Sequence, residues 1–296
     1  VLLSQFRRLD GQIQVVAREG TEAYEVASDQ SLYDLALWCA SARVSLSDCV
    51  LERGLGAAVD LDQLCEEGRV LPPVLHPDPA HVVVSGSPLA LSEKADGSEK
   101  AAWFYRGAGD ALVAPSAPVA LPLFDFEGAV QPRIAGLYVI GTDALPCRIG
   151  FTLSRQYSNR FSRETGEAGM YGGEPRIAFG PELLVSVLPG VVSGTFRLMR
   201  GGEVVAMSPI ILNVADPGHS VAELEKDLFG RGVFLRPGDV HIHMFGTPTA
   251  ALFGETTALS GDVFEIEAAP FGLPLRNSVA AAPLHGSPET QPVRVL

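Results

Sequence analysis

Positive charge is scarce in this chain. Twenty-two lysines and arginines face 35 aspartates and glutamates, which leaves a formal net charge of −13. An acidic surface repels phosphate backbones, and no basic stripe with interleaved aromatics overrides it, so the balance argues against nucleic-acid binding. Long apolar runs are missing as well: none approaches the ~18 residues that span a bilayer. The opening Val1-Leu2-Leu3-Ser4-Gln5-Phe6-Arg7-Arg8 turns polar too soon for a signal peptide. Cysteine is limited to Cys39, Cys49, Cys65 and Cys147 with no Cys-x-x-Cys spacing. Three of the four lie in helical or apolar settings and read as small buried hydrophobes, which suits a soluble protein of the reducing cytoplasm. There is no P-loop, no dinucleotide fingerprint, no Gly-x-Ser-x-Gly nucleophile elbow and no internal repeat.

What is present is a packed globular composition, 47% hydrophobic and 19% charged, with 31 glycines and 22 prolines spread along the whole length. That punctuation suits many short strands more than long helices, and the fold class expected is α+β, mostly β. Gln12, Ile13, Gln14 and Val15 alternate as a half-buried strand does. Ser31 is a good N-cap with Asp34 three residues on, and Leu32, Leu35, Ala36 and Cys39 follow at helical spacing. A second helix is expected over Leu46–Glu52, ending near Gly54. Pro72, Pro73, Pro77 and Pro79 make a stiff linker, so residues 1–75 form a small α+β domain and residues 76–296 the main one. From His81 onward the pattern is mostly strand, with one helix at Ser220–Phe229 and an irregular tail after Asn277.

Three constellations can carry chemistry. Residues 134–140 and 147–153 are apolar runs joined by Gly141-Thr142-Asp143-Ala144-Leu145-Pro146. Pairing about the centre of that connection sets Gln131 opposite Gln156 and Arg133 opposite Ser154. With a side-chain period of two, all four then share a face, and a one-residue slip breaks the arrangement. In Val240-His241-Ile242-His243-Met244-Phe245-Gly246-Thr247, the odd-numbered residues His241, His243, Phe245 and Thr247 share a strand face. Two histidines at that spacing bind zinc only with a third ligand, and none lies nearby in sequence. His243 is the candidate proton carrier, while His241 reads as a packed core histidine. In Trp103-Phe104-Tyr105-Arg106-Gly107, Arg106 adds positive charge at a pocket mouth or snorkels from an aromatic core.

Gln131-Pro132-Arg133-Ile134-Ala135-Gly136, Phe179-Gly180-Pro181-Glu182-Leu183-Leu184 and Gly238-Asp239 running to Gly246-Thr247 together resemble the fumarylacetoacetate hydrolase superfamily, nearest its 2-keto-3-deoxy sugar-acid dehydratase branch. The resemblance implies a mixed β-sandwich or roll behind the small N-terminal domain, a homodimer, and substrate contacts from Gly246 and Thr247. It also implies a Glu-x-Glu pair at 131 and 133 and an Asp at 156, holding Mg²⁺ against a 2-oxo acid. This chain has Gln131, Arg133 and Gln156 there. The family's lid segment is short here, spanning 86–102 with Glu93 and Glu99 but no His, and the family's Lys before Phe179 is absent. No cofactor or metal is expected.

Two readings follow. In one, the protein is a diverged, metal-independent enzyme of lyase, hydratase or cyclisation type acting on a small carboxylic or 2-oxo acid. Arg133 then anchors the anion, Gln131, Ser154, Gln156 and Arg106 line the pocket, and His243 moves the proton. In the other, Arg133 pairs with a nearby carboxylate in a decayed site, and the chain is a non-catalytic ligand-binding or partner-stabilising subunit.

Overall fold

Serine caps and turn glycines set the helices where the spacing placed them. In a computed structural model, which describes residues 1–86, 103–121, 129–158, 176–213, 220–245, 247–248, 256 and 258–281, Ser31 and Asp34 form a reciprocal capping box at the start of a helix over Leu32–Ala42. A second helix runs over Leu46–Arg53 with Gly54 at its end, and Ser220 with Glu223 caps the helix Val221–Phe229 in the same way. In chain order the elements are β1 (Leu2–Arg7), β2 (Ile13–Glu19), β3 (Glu22–Val26), α1 (Leu32–Ala42), α2 (Leu46–Arg53), β4 (Leu55–Ala58), α3 (Leu61–Glu66), β5 (Val82–Gly86), β6 (Phe104–Gly107), β7 (Leu112–Val113) and β8 (Val119–Leu121). They continue with β9 (Ala129–Ile140), β10 (Pro146–Ser158), β11 (Ile177–Phe179), β12 (Leu183–Leu184), β13 (Val191–Arg200), β14 (Glu203–Asn213), α4 (Val221–Phe229), β15 (Val240–Phe245), β16 (Thr247–Pro248), β17 (Val263–Ala268) and β18 (Leu275–Ala281). The fold is α+β and mostly β, as the composition implied.

The strands form two sheets. The larger runs β4-β3-β2-β1-β12-β10-β9-β15-β5-β6, with β11 added beside β10 and β7 beside β11. The smaller runs β16-β14-β13-β17-β18-β8. Between them lies one apolar core, in which Val130, Ile134, Phe151, Leu153 and Phe245 of the larger sheet meet Phe196, Leu198, Phe264 and Ile266 of the smaller. The opposite face of the larger sheet carries a second core. There Ala135, Leu137, Val139, Val240, Ile242 and Met244 pack with Leu32, Leu35, Ala36 and Cys39 of α1. Among the described residues no helix is long and apolar enough to cross a membrane.

Several elements differ from the sequence expectation. The first strand, β1, pairs with β12 through Leu2↔Leu184 and Leu3↔Leu183, so the larger sheet continues from the first 75 residues into the rest of the chain. An ion pair crosses the same junction. Arg18 grips buried Glu182 with two donors, at 2.6 and 3.1 Å, and Glu182 also accepts the backbone N–H groups of Gly272 and Leu273. A Cβ at position 272 would fall 0.9 Å from Arg18 Nη2, so a side chain there would push that guanidinium aside. Residues 278–281 are strand rather than irregular tail, because β18 is held between β17 and β8. Asn277, the residue before that expected tail, is buried and donates to the carbonyls of Ala114 and Ala117.

Candidate functional site: a buried guanidinium on a paired-strand face

The β9–β10 hairpin brings the expected quartet together. Gln131 pairs with Gln156 and Arg133 with Ser154, and Ala135 with Thr152 continues the same row. This is the register the sequence suggested, but it is reached by a different route. Near the turn the pairs are Pro146↔Ile140 and Arg148↔Tyr138, one residue off the expected centre. A bulge between Arg148 and Gly150 then restores the register, with Gly150↔Leu137 and every later pair following. Without it, Gln131 would meet Arg155, whose guanidinium instead lies over Phe264 between the sheets. Gly150 makes the bulge possible: a Cβ there would stand 2.6 Å from the Leu184 carbonyl oxygen and 2.8 Å from Leu183 Cγ.

All four side chains are buried. Arg133 is 1% exposed and Gln156 2%, and its place among the largest buried side chains makes Arg133 unusual for its type. Its Nη2 donates to the Met244 carbonyl at 3.3 Å, which draws the guanidinium toward the end of β15. Burial first, and the neighbouring Arg106 second, bring its pKa down from the ordinary arginine range to about 9, so it stays protonated at neutral pH. Arg106, on β6, is part-buried and is lowered by burial to about 10. The two cations therefore converge from strands on either side of β15 and β5. The Ser154 hydroxyl and both amide atoms of Gln156 have no hydrogen-bond partner among the described residues. Buried polar atoms left in that state point to a ligand or ordered water that completes them.

His243 is not on this face. It pairs with Gly136, and side-chain alternation sends it to the side opposite Arg133. There its Nδ1 shares a 2.8 Å hydrogen bond with the Ser85 hydroxyl and its ring lies near that of Phe245. Burial first, then Arg133 and His241, lower its pKa to about 3, so the imidazole is neutral. Ser85 escaped the sequence reading; its one signal was a polar residue closing the apolar Val82–Val84 run. His241, read as a core histidine, is buried, and its Nε2 meets the Phe234 carbonyl at 2.7 Å. Thr247 lies in β16 opposite Asn213. Gly246, Glu93 and Glu99 lie outside the described residues.

No family model matches the sequence, and no curated protein matches it. Solved structures do. A 2-keto-3-deoxy-D-arabinonate dehydratase in its apo form aligns over 95% of this chain and 99% of its own, with a TM-score of 0.68 at 16% identity. The dehydratase complexed with magnesium and 2,5-dioxopentanoate aligns over the same shares with a TM-score of 0.66 at 17% identity. A fumarylacetoacetate hydrolase from psychrophilic Exiguobacterium antarcticum covers 95% and 99%, with a TM-score of 0.57 at 19% identity. This chain has the fumarylacetoacetate hydrolase fold. Within that fold, the resemblance assigns a divalent metal to positions 131, 133 and 156, and the side chains present do not suit one. Mg²⁺ takes hard anionic oxygens, whereas two neutral amides and a guanidinium supply no anion and one repelling charge. Among the described residues no group of three or more His, Cys, Asp or Glu could hold a metal.

Proposed function

We propose that the protein is a diverged relative of the fumarylacetoacetate hydrolases that binds a small carboxylic or 2-oxo acid through Arg133 rather than through a divalent metal. The observation that carries this reading is one buried strand face. It joins the protonated Arg133 guanidinium to the Ser154 hydroxyl and Gln156 amide, which have no hydrogen-bond partner among the described residues. A guanidinium matches a carboxylate bidentately, and exclusion of water strengthens the pairing. Gln131 and Gln156 orient the acid, and Arg106 adds attraction at the pocket edge. If the bound acid reacts by lyase, hydratase or cyclisation chemistry, negative charge that develops on its oxo oxygen is stabilised by the same guanidinium.

A second reading, a non-catalytic ligand-binding or partner-stabilising subunit, is favoured by the placement of His243. An imidazole that is neutral, bonded to Ser85 and across the sheet from Arg133 is a poor proton carrier for a ligand on the Arg133 face. A thermal-shift series with 2-oxo acids on wild type and Arg133→Ala tests the anion site. Stabilisation is expected in wild type alone, and stabilisation that survives the substitution removes Arg133 as the anchor. Turnover of an acid that binds, abolished by His243→Ala in a folded variant, selects the enzyme; binding without turnover selects the second reading. Stoichiometric Mg²⁺ or Mn²⁺ in the purified protein overturns both. A cytoplasmic homodimer belongs to the same proposal. Four free cysteines suit a reducing compartment, and exposed Val191, Met207 and Ile211 on the smaller sheet offer apolar surface to a second copy.

A further inference from the structure

Gln156 presents two different demands at one point. Its amide couples an acceptor, Oε1, to a donor, Nε2, in one plane, and both ends are buried with no hydrogen-bond partner among the described residues. The Ser154 hydroxyl, two residues back on the same face, adds one more donor. A carboxylate or 2-oxo group offers only lone pairs at neutral pH. It satisfies the guanidinium, the Ser154 proton and Gln156 Nε2, but it turns a lone pair toward Gln156 Oε1. Flipping the amide exchanges the two ends and leaves one of them facing a like group. A hydroxyl or N–H on the ligand meets the remaining acceptor.

We infer that Gln156 is a specificity-determining residue that favours an acid carrying a hydroxyl or N–H donor over an acid that carries acceptors alone. This rests on the reading of the pocket as an anion site. A buried acceptor left facing a lone pair lowers affinity by about tenfold or more. A carboxylate side chain at 156 would accept the same hydroxyl but repel the acid, whereas the neutral amide does both tasks without charge.

Calorimetric titration of the full chain with two matched pairs, pyruvate with lactate and 2-oxoglutarate with 2-hydroxyglutarate, tests this. In wild type the hydroxy acid of each pair is expected to bind about tenfold tighter or more. In Gln156→Met, similar in length with neither amide donor nor amide acceptor, the preference is expected to shrink to within about threefold while binding persists. Equal affinities in wild type, the outcome if water fills the gap, overturn the inference. So does a preference for the oxo acids, or a hydroxy preference that persists in Gln156→Met. The wild-type ratio decides by itself if the variant does not fold. An Arg133→Met control separates the two levels. If acids bind and the control abolishes binding, the anion site stands and the ratio judges Gln156. If no acid binds, or binding ignores the control, the anion-site reading fails and the inference with it.

Discussion

Replacing Arg133 by methionine should make the ligand-free protein more stable and blind to acids. The pKa of the guanidinium is lowered from the ordinary arginine range to about 9 by burial and by Arg106. At ~1.4 kcal/mol per pH unit, this corresponds to about 5 kcal/mol that the charged form costs the folded state. The sign follows from linkage. Below about pH 9 both states carry the proton and the full cost is present, and it is relieved as pH rises above about 9, where the unfolded chain holds its proton longer. Methionine fills much of the same volume without charge, but it gives up the hydrogen bonds of the guanidinium, the Nη2 bond to the Met244 carbonyl among them, a loss of roughly 1–3 kcal/mol. The net expectation at pH 7 is a gain of about 2 kcal/mol, or roughly 4 °C in Tm for a chain of this size. Urea denaturation gives the first number and calorimetry the second. A 2-oxo acid at about a hundred times its Kd should add about 2.7 kcal/mol to wild type and nothing to the variant. If Arg133→Met instead loses more than about 1 kcal/mol, the guanidinium is a net structural tie and the reasoning from desolvation is refuted.

Other outcomes follow from the same geometry. Gly150→Ala drives a Cβ into the Leu184 carbonyl at 2.6 Å, so a loss of about 2–3 kcal/mol is expected by urea denaturation; a change below about 0.5 kcal/mol would show that the bulge tolerates a side chain. Glu182→Gln strands the Arg18 charge in a junction where the carboxylate is 1% exposed, and should cost about 3–5 kcal/mol. A loss under about 1 kcal/mol would mean that the pair is replaceable by water. His243, neutral in the fold with its pKa lowered to about 3, contributes stability above pH 6.5 that is lost progressively as pH falls toward 3. The slope from this group is about 1.4 kcal/mol per pH unit, and His243→Gln should flatten it in acid titrations of stability. An unchanged slope would place the titrating group elsewhere.

The helix ends were legible because capping is local: Ser31 with Asp34 needs nothing more than four residues of chain. The strand faces of β9 and β10 were legible because alternation is a property of the pleat. Arg133 and Gln156 were accordingly expected on one side before any partner was known. β1 was missed because Leu2–Arg7 carries no turn signal or clean alternation, and is made a strand by β2 and β12 on either side. The same holds for residues 278–281, which look like tail but lie between two partners. His243 shows the limit on the functional side. The alternation of His241, His243 and Phe245 was legible, but Thr247, expected on the same face, lies in β16 of the smaller sheet, and the face His243 took depended on its pairing with Gly136.

By itself, the sequence determined that the chain is α+β and mostly β, and that Gln131, Arg133 and Gln156 replace the carboxylates implied by resemblance. It also determined that the β9–β10 hairpin has one polar end. Tertiary structure decided whether those residues meet. The turn alone sets a register one residue away from the observed one, and the bulge at Gly150, packed against Leu183 and Leu184, corrects it. Those leucines are in place because β1 pairs with β12 from the far end of the chain. Alternation is written into every strand, but register at a distance from a turn depends on non-local packing. Gln131, Arg133, Ser154 and Gln156 share one row because that packing admits one extra residue.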